Sequence, residues 1–372
     1  MTELQQIVAL WRSAKARQEE VCLATIVRVE GSSYRKPGAR MLLTRSGQRA
    51  GTISGGCLEA EVAKKAWWLT ESGPAIQRYS SFFDDDSPAP YGLGCGGTVH
   101  VLLDRGPSTH AVLDALELSL STRLPFVTVT DLNKPALLLI EQNGIRTLLS
   151  HDDETASIVQ NTAHRVLIER HSCYTSLHEK SREHNLFVEY VPPPVALTIA
   201  GAGDDVKPLA DFASRLGWHV TVADGRSHLA RAERFPTADR IVVLDYNDPA
   251  QLQSLAPDSD NAVVLLTHSY EQDRALLCTL LPRAPQYLGI LGPRLRTERL
   301  LAEIATQINL TADVCMARLH APVGFDIGAH TPESIALSIV TEIYAVLNGR
   351  EGMSLKNSSR DRKHIHDKLL HV

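Results

Sequence analysis

Two of the chain's six cysteines stand against glycine pairs, and these two places are where the sequence first offers chemistry. Cys57 follows Ser54, Gly55 and Gly56 in "GTISGGCLE", and Cys95 precedes Gly96 and Gly97 in "YGLGCGGT". Glycine pairs leave backbone amides uncovered and let a ligand approach the main chain closely. A thiol beside such a turn is positioned for reaction or coordination more readily than one in a packed strand. Either turn alone could be a tight bend whose cysteine fills a small gap, as free cysteines usually do. Two in one chain point to a shared site, made of Ser54, Gly55, Gly56, Cys57, Cys95, Gly96 and Gly97.

A second set lies downstream. "VALTIAGAGDDVKPLADFASRLGWHVTVADGR" reads as strand, glycine turn, helix, strand and then an acid. Gly201 and Gly203 fall in the turn and Asp224 at the end of the next strand, where a dinucleotide site holds pyrophosphate and ribose. Two features oppose that use. The third fingerprint position is Val206, and Asp204 and Asp205 put negative charge where a helix N-terminus would take a phosphate. NAD(P) binding and an altered or unused cleft therefore both stay open, and Asp224 with Arg226 could simply cap the following helix. Arg294, with Arg296 and Arg299, follows a glycine turn in "LGPRLRTER" and could clamp a phosphate or carboxylate. For Arg299 a solvated helix start is the better reading.

Other candidates are weaker. His268 and Asp273 sit at another strand end, Gly324, Asp326 and Gly328 form a constrained loop, and Arg40 could meet an anion or a salt-bridge partner. The aspartates of "FFDDDSPAP" read as a solvated loop, not a magnesium site. His-Glu-x-x-His, Gly-x-Ser-x-Gly and Walker A sequences are absent, which removes the commonest hydrolase and phosphoryl-transfer functions.

The elements that must position these residues follow from periodicity. Short strands are predicted at 22–29, 40–44 and 49–53, then a helix from 58 that stops at Gly73. Cys57 would then open a helix, a place that lowers a thiol pKa and favours anions. "AIQRYSSF" and "GTVHVLLD" read as strands on either side of the second cysteine turn. "RIVVLD", "AVVLLT" and "YLGIL" are the apolar runs of a buried parallel sheet, and "PESIALSIVTEIYAVLNG" is an amphipathic helix.

The fold class is α/β, with an N-terminal α+β domain and a C-terminal Rossmann-like, doubly wound parallel-sheet domain. The prolines at Pro192 to Pro194 mark the boundary, giving domains at 1–191 and 192–350 and a charged tail at 351–372. Within the first domain, 108–188 contributes one helix and several short strands and no chemistry.

Composition bounds the remaining possibilities. The chain has 372 residues, 44% hydrophobic and 22% charged, and a net charge of −5, which argues against a general nucleic-acid surface. No apolar run approaches the roughly 20 residues of a membrane span. The N-terminus reads as a charged amphipathic helix and not as a secretory signal. Scattered cysteines without a Cys-x-x-Cys pair argue against a disulfide framework or zinc knot and suit a reducing cytoplasm.

"VEGSSYRKPGARMLLTRSGQRAGTISGGCLEAEV" with "GLGCGGTVHVLL" resembles the N-terminal domain of the XdhC/CoxI family, accessory proteins of xanthine and carbon monoxide dehydrogenases. The stretches "LTIAGAGDDVKPLADFASRLGWHVTVADGR", "LGILGPRLRTERL" and "APVGFDIGAHTPESIALSI" resemble that family's Rossmann domain. The resemblance implies a chaperone that binds the molybdenum cofactor, a pterin dithiolene with a terminal phosphate, during its sulfuration and insertion. The implied partners are a xanthine dehydrogenase-type molybdenum hydroxylase and a cysteine desulfurase, with a homodimer compatible. It gives Cys57 a purpose as a contact for molybdenum or sulfur, and the glycine amides one toward phosphate or pterin edges. One departure stands out: the family's Gly-Ala-Gly-His turn has Asp204 at the histidine position here. Two other functions remain open, an NAD(P)-dependent oxidoreductase using Gly201, Gly203 and Asp224, and a non-catalytic adaptor that docks the client enzyme or the desulfurase.

Overall fold

In a computed structural model, residues 2–80, 97–135, 137–141, 144–147, 153–179, 182–256, 260–354 and 356 are described. They divide into two compact units, one running to Pro193 and one from Pro194.

The N-terminal unit begins with α1 (Glu3–Ala16), started by a capping box in which Thr2 and Gln5 satisfy each other's backbone amides. There follow β1 (Val21–Gly31), β2 (Arg40–Thr44), β3 (Arg49–Gly51), α2 (Cys57–Leu69), β4 (Ala75–Ser80) and β5 (Gly97–Asp104). These strands form an antiparallel sheet in the order β3-β2-β1-β5-β4. Then come α3 (Pro107–Thr122), β6 (Phe126–Asp131), β7 (Leu137–Glu141), β8 (Gly144–Thr147), α4 (Asp153–Glu169), β9 (Cys173–Glu179) and β10 (Arg182–Val191). They make a second five-stranded sheet, β8-β7-β6-β10-β9.

Strand β1 shows how the layers are set. Residues 21–27 are all buried, because alternate side chains enter different cores. Val21 and Leu23 join Ile7, Trp11, Leu113 and Leu116 of α1 and α3, while Cys22, Ala24 and Ile26 face Leu58, Val62 and Ala66 of α2. Phe126 and Val191 of the second sheet share the α1–α3 core, and α4 covers Val127, Val129 and Val188 of that sheet. The 108–188 region thus holds two helices, α3 and α4, where one was predicted. Helix α4 was missed because only Val159, Ala163 and Val166 among its described residues are buried apolar positions.

The C-terminal unit comprises β11 (Ala196–Ala200), α5 (Val206–Arg215), β12 (His219–Asp224), β13 (Arg240–Val243), α6 (Pro249–Gln253), β14 (Asn261–Leu265), α7 (Tyr270–Leu280), β15 (Tyr287–Ile290), α8 (Arg294–Ile304), α9 (Ala312–Ala317) and α10 (Pro332–Leu347). All strand pairs are parallel, in the order β13-β12-β11-β14-β15. Helices α5 and α10 pack on one face through Val206, Leu209, Ile339 and Ile343, and α6, α7 and α8 on the other through Leu252, Leu277 and Leu300. Burying each such Leu or Ile contributes about 1.5–3 kcal/mol. This is the doubly wound Rossmann arrangement, whose ligand crevice opens between β11 and β14, where the strand order reverses. No helix among the described residues is long and apolar enough to cross a membrane.

Candidate functional site

The turn between β3 and α2 is fixed from both sides. Before it, Glu3 at the start of α1 accepts from the amide and hydroxyl of Thr52 at 2.6 and 2.8 Å. After it, buried Glu59 of α2 accepts from the amides of Ile53 and Ser54 at 3.0 and 2.7 Å. The Ser54 hydroxyl donates to the same carboxylate and accepts from the amides of Gly56 and Leu58 at 3.1 and 3.2 Å. Burial opposes ionisation of Glu59, but the Ser54 hydroxyl and these amides outweigh it and hold the carboxyl below its ordinary range.

This corrects one prediction. Ser54 is buried and its hydroxyl is spent on the turn, so it shapes the site and does not offer an open contact. Gly55 and Gly56 are exposed, and a side chain built at either would meet nothing within 4 Å among the described residues. Gly56 has φ +119°, a conformation that favours glycine, and Cys57 is the first residue of α2.

Cys95 and Gly96 lie outside the described residues, as do the aspartates of the "FFDDDSPAP" stretch and all of the 351–372 tail except 351–354 and 356. Gly97 is described and opens β5, paired with Gly31 at the end of β1. A side chain there would collide with the Ser32 carbonyl oxygen, so only glycine fits. The registers run β3 in the same direction as β1, with Gly51 level with Ala24 through Met41. Strands β1 and β5 run on past the Thr25–Arg40 pair to Gly31 and Gly97. The chain therefore leaves β3 running toward the Gly31–Gly97 end of the sheet.

The other four cysteines are poor chemical candidates. Burial pushes the Cys22 thiol up to about 12 and raises those of Cys173, Cys278 and Cys315. Among the described residues no group of three or more His, Cys, Asp or Glu side chains could hold a metal ion. Arg40 is also spent: its guanidinium grips Glu189 through two bonds of 2.9 and 2.6 Å, in a buried pair that joins the two sheets.

The glycine turn of the C-terminal unit is closed to a dinucleotide. Asp224 is 0% exposed. Its carboxylate accepts from the Ala202 amide at 2.8 Å and from Arg226 through the backbone amide, Nε and a terminal nitrogen at 2.8, 3.0 and 2.7 Å. Burial opposes its ionisation, and the Arg226 guanidinium and these amides outweigh that and hold the carboxyl low. Both residues thus stiffen the turn, and no acceptor remains for a ribose. At Gly203 the end of the Asp205 side chain lies over the glycine, in the space a Cβ would take. Gly201, at φ +132°, is pressed against the Leu266 carbonyl. Asp204 is solvent-exposed between Lys207 and Arg234.

The predicted arginine clamp does not form either. Arg294 is 70% exposed and pairs with Glu298 one helical turn away, while Arg296 holds buried Asp273 at 2.7 Å. Asp326 is exposed on its loop. The loop before α10 is anchored instead by Glu342, which accepts from the Gly324 amide at 2.8 Å and from the Tyr287 hydroxyl. Sequence reasoning missed Glu59, Glu3 and Glu342. For Glu59 a signal existed, an acid in the first turn of a helix whose preceding turn carries a serine.

The chain is similar to known proteins in sequence and fold. Residues 197–343 match the family described as the XdhC Rossmann domain, and residues 14–80 match the XdhC and CoxI family. The chain is 30% identical over 328 residues to a probable xanthine dehydrogenase subunit from Bacillus subtilis (strain 168), covering 88% of this chain and 93% of that one. It is 26% identical over 342 residues to the molybdenum cofactor insertion chaperone PaoD of Escherichia coli (strain K12), covering 91% and 87%. A crystal structure described as a xanthine dehydrogenase from Bacillus halodurans superposes with a TM-score of 0.73 at 29% identity, covering 95% of this chain and 98% of that one.

Proposed function

The chain belongs to the XdhC and CoxI family, and we propose from that premise that it is a maturation factor which holds the molybdenum cofactor during sulfuration and delivers it to a xanthine dehydrogenase-type molybdenum hydroxylase. The observation that carries this reading is the placement of Cys57 as the first residue of α2, after an open glycine pair that Glu59 and Glu3 lock in shape. A thiol there is favoured as thiolate, the form that binds a soft metal or carries sulfur. Gly55 and Gly56 offer the backbone approach, and Cys95 and Gly96, outside the described residues, are proposed with Gly97 as the rest of the site. A cysteine desulfurase supplies the sulfur, and the protein acts by binding and transfer, not by sustained turnover.

The name of the Escherichia coli relative supports cofactor insertion. Nicotinamide chemistry has no comparable support, because Asp224 and Gly203 are occupied by the turn's own groups. The test is delivery. The protein is loaded anaerobically with sulfurated cofactor and mixed with a cofactor-free molybdenum hydroxylase. Activity should appear with the wild-type chain and be lost with Cys57→Ala. Equal activation by free cofactor and by the loaded protein would overturn the delivery role.

A further inference from the structure

Helix α2 ends on two tryptophans that the fold uses differently. Trp67 is partly buried against the α2 core and lies under the Arg45 guanidinium, 4.9 Å from its ring centroid. Trp68, one position on, is 70% exposed. A tryptophan offers about 150–250 Å² for burial, most of it apolar, and here the N-terminal unit leaves most of that area in water.

The place of Trp68 on the helix ties it to the Gly55–Gly56 turn. At about 100° per residue, positions 57, 61, 64 and 68 fall within about 60° of one another, so Trp68 shares a face with the residue that opens α2. The helix rises about 17 Å between Cys57 and Trp68 at 1.5 Å per residue. A stable protein–protein contact buries about 800 Å² on each partner, a patch about 16 Å in radius. A partner centred on Trp68 therefore reaches the glycine turn with its rim. The charge around Trp68 has a sign. Lys64 is exposed and has no ion-pair partner among the described residues, Lys65 pairs with Glu61 at 2.7 Å, and Arg45 lies over Trp67. Against these three cations stand Glu61 and the exposed Glu71, so the patch is cationic in a chain of net charge −5.

We propose that the Trp68 face of α2 is the docking surface for the cofactor-accepting hydroxylase, which meets it with an apolar pocket rimmed by carboxylates. An aromatic anchor among cations is the composition of an interface centre, and the opposite charge on the partner sets its orientation. A sulfur donor needs only one reactive arm at the turn. Handing over a ligand held by many contacts needs a second surface broad enough to cover the turn, which is what an anchor at this distance provides. The proposal rests on the delivery reading and gives it a surface, and it assigns Trp68 no part in holding the cofactor.

Two measurements on the full-length protein test it. In the first, cofactor-loaded protein is titrated into cofactor-free hydroxylase, and the half-saturating concentration and the plateau of activity are read. Trp68→Ala should raise the half-saturating concentration about tenfold or more and leave the plateau unchanged. Lys64→Glu should raise it less, by a factor that shrinks between about 0.05 and 0.5 M salt. Ile168→Ala, at a residue 77% exposed on α4, should match the wild type. All three variants should melt like the wild type and retain molybdenum and pterin on gel filtration. In the second, the unloaded protein is bound to immobilised cofactor-free hydroxylase by biolayer interferometry, which reads docking without delivery and should rank the variants in the same way. Docking without activation would sink the delivery reading and leave this surface standing. Unchanged activation and binding by Trp68→Ala, loss of retained cofactor by that variant, or no binding by the wild type would overturn the surface. So would a Trp68 dependence confined to self-association in analytical ultracentrifugation, which assigns the face to a second copy, or confined to binding of a cysteine desulfurase.

Discussion

Glu59 and Ser54 close the first cysteine turn: one carboxylate, buried inside α2, takes the serine hydroxyl and the amides of Ser54 and Ile53. The glycine pair between them is left exposed on a backbone that cannot relax freely. A loop that must meet a ligand gains pre-organisation from such a lock.

Glu59→Gln should therefore cost about 1–3 kcal/mol of stability, because an amide cannot accept all three donors with both of its heavy atoms. The dependence on pH has a definite sign. The folded carboxyl is held below its ordinary value, so its contribution is complete above that value and is lost as pH falls through the folded one. Melting curves of wild type and Glu59→Gln should differ most near neutral pH and converge only once the pH has fallen below the lowered folded value. A gap that widens on acidification would refute the assignment of the charge.

Thiol reactivity should divide the cysteines by burial. With its thiol pushed up to about 12, Cys22 carries roughly a thousandfold less thiolate than an ordinary cysteine at neutral pH. Alkylation followed by peptide mass mapping should label Cys57 fastest, Cys278 and Cys173 more slowly, and Cys22 and Cys315 only after unfolding. Labelling of Cys278 ahead of Cys57 would remove the argument that a helix start activates the latter.

The Arg40–Glu189 pair should behave as a buried ion pair, with side chains 9% and 8% exposed. Arg40→Ala or Glu189→Ala alone should cost about 3–5 kcal/mol, since each strands its partner's charge inside the unit. Arg40→Met combined with Glu189→Leu should recover most of that loss. Urea denaturation of the three variants checks it, and additive losses in the double variant would show that the charges do not act as a pair.

Asp224→Ala should destabilise the C-terminal unit by about 1–3 kcal/mol, as it leaves the buried Ala202 amide unsatisfied while the half-exposed Arg226 turns to solvent. The same geometry predicts that NADH fluorescence shows no saturable binding to the wild-type protein up to about 1 mM. Saturation at micromolar NADH would contradict the closed turn.

Much of this fold was legible because local and global signals agree. The stretch 97–104 alternates β-rich residues and is a strand over that whole span, and Thr331 with Pro332 announces α10 where it begins. The doubly wound Rossmann class followed from apolar runs alternating with helices. What stayed hidden was side-chain commitment. Asp224 stands where a ribose-binding acid belongs, yet its fourfold use by Arg226 and Ala202 depends on a turn geometry that spacing does not encode. His268 meets Asp205 across 63 residues of sequence, a contact made by strand order and a left-handed backbone. The second sheet of the N-terminal unit was obscured because α4 buries so narrow a stripe.

The central claim is that Cys57, opening α2 behind its locked glycine pair, is the group that retains the molybdenum cofactor. Anaerobic gel filtration of cofactor-loaded protein, with molybdenum and pterin measured in the protein fraction, tests it directly. Wild type and Cys278→Ala should retain both in equal amounts, and Cys57→Ala should lose them. Full retention by Cys57→Ala, with the wild type loaded alongside, would contradict the account.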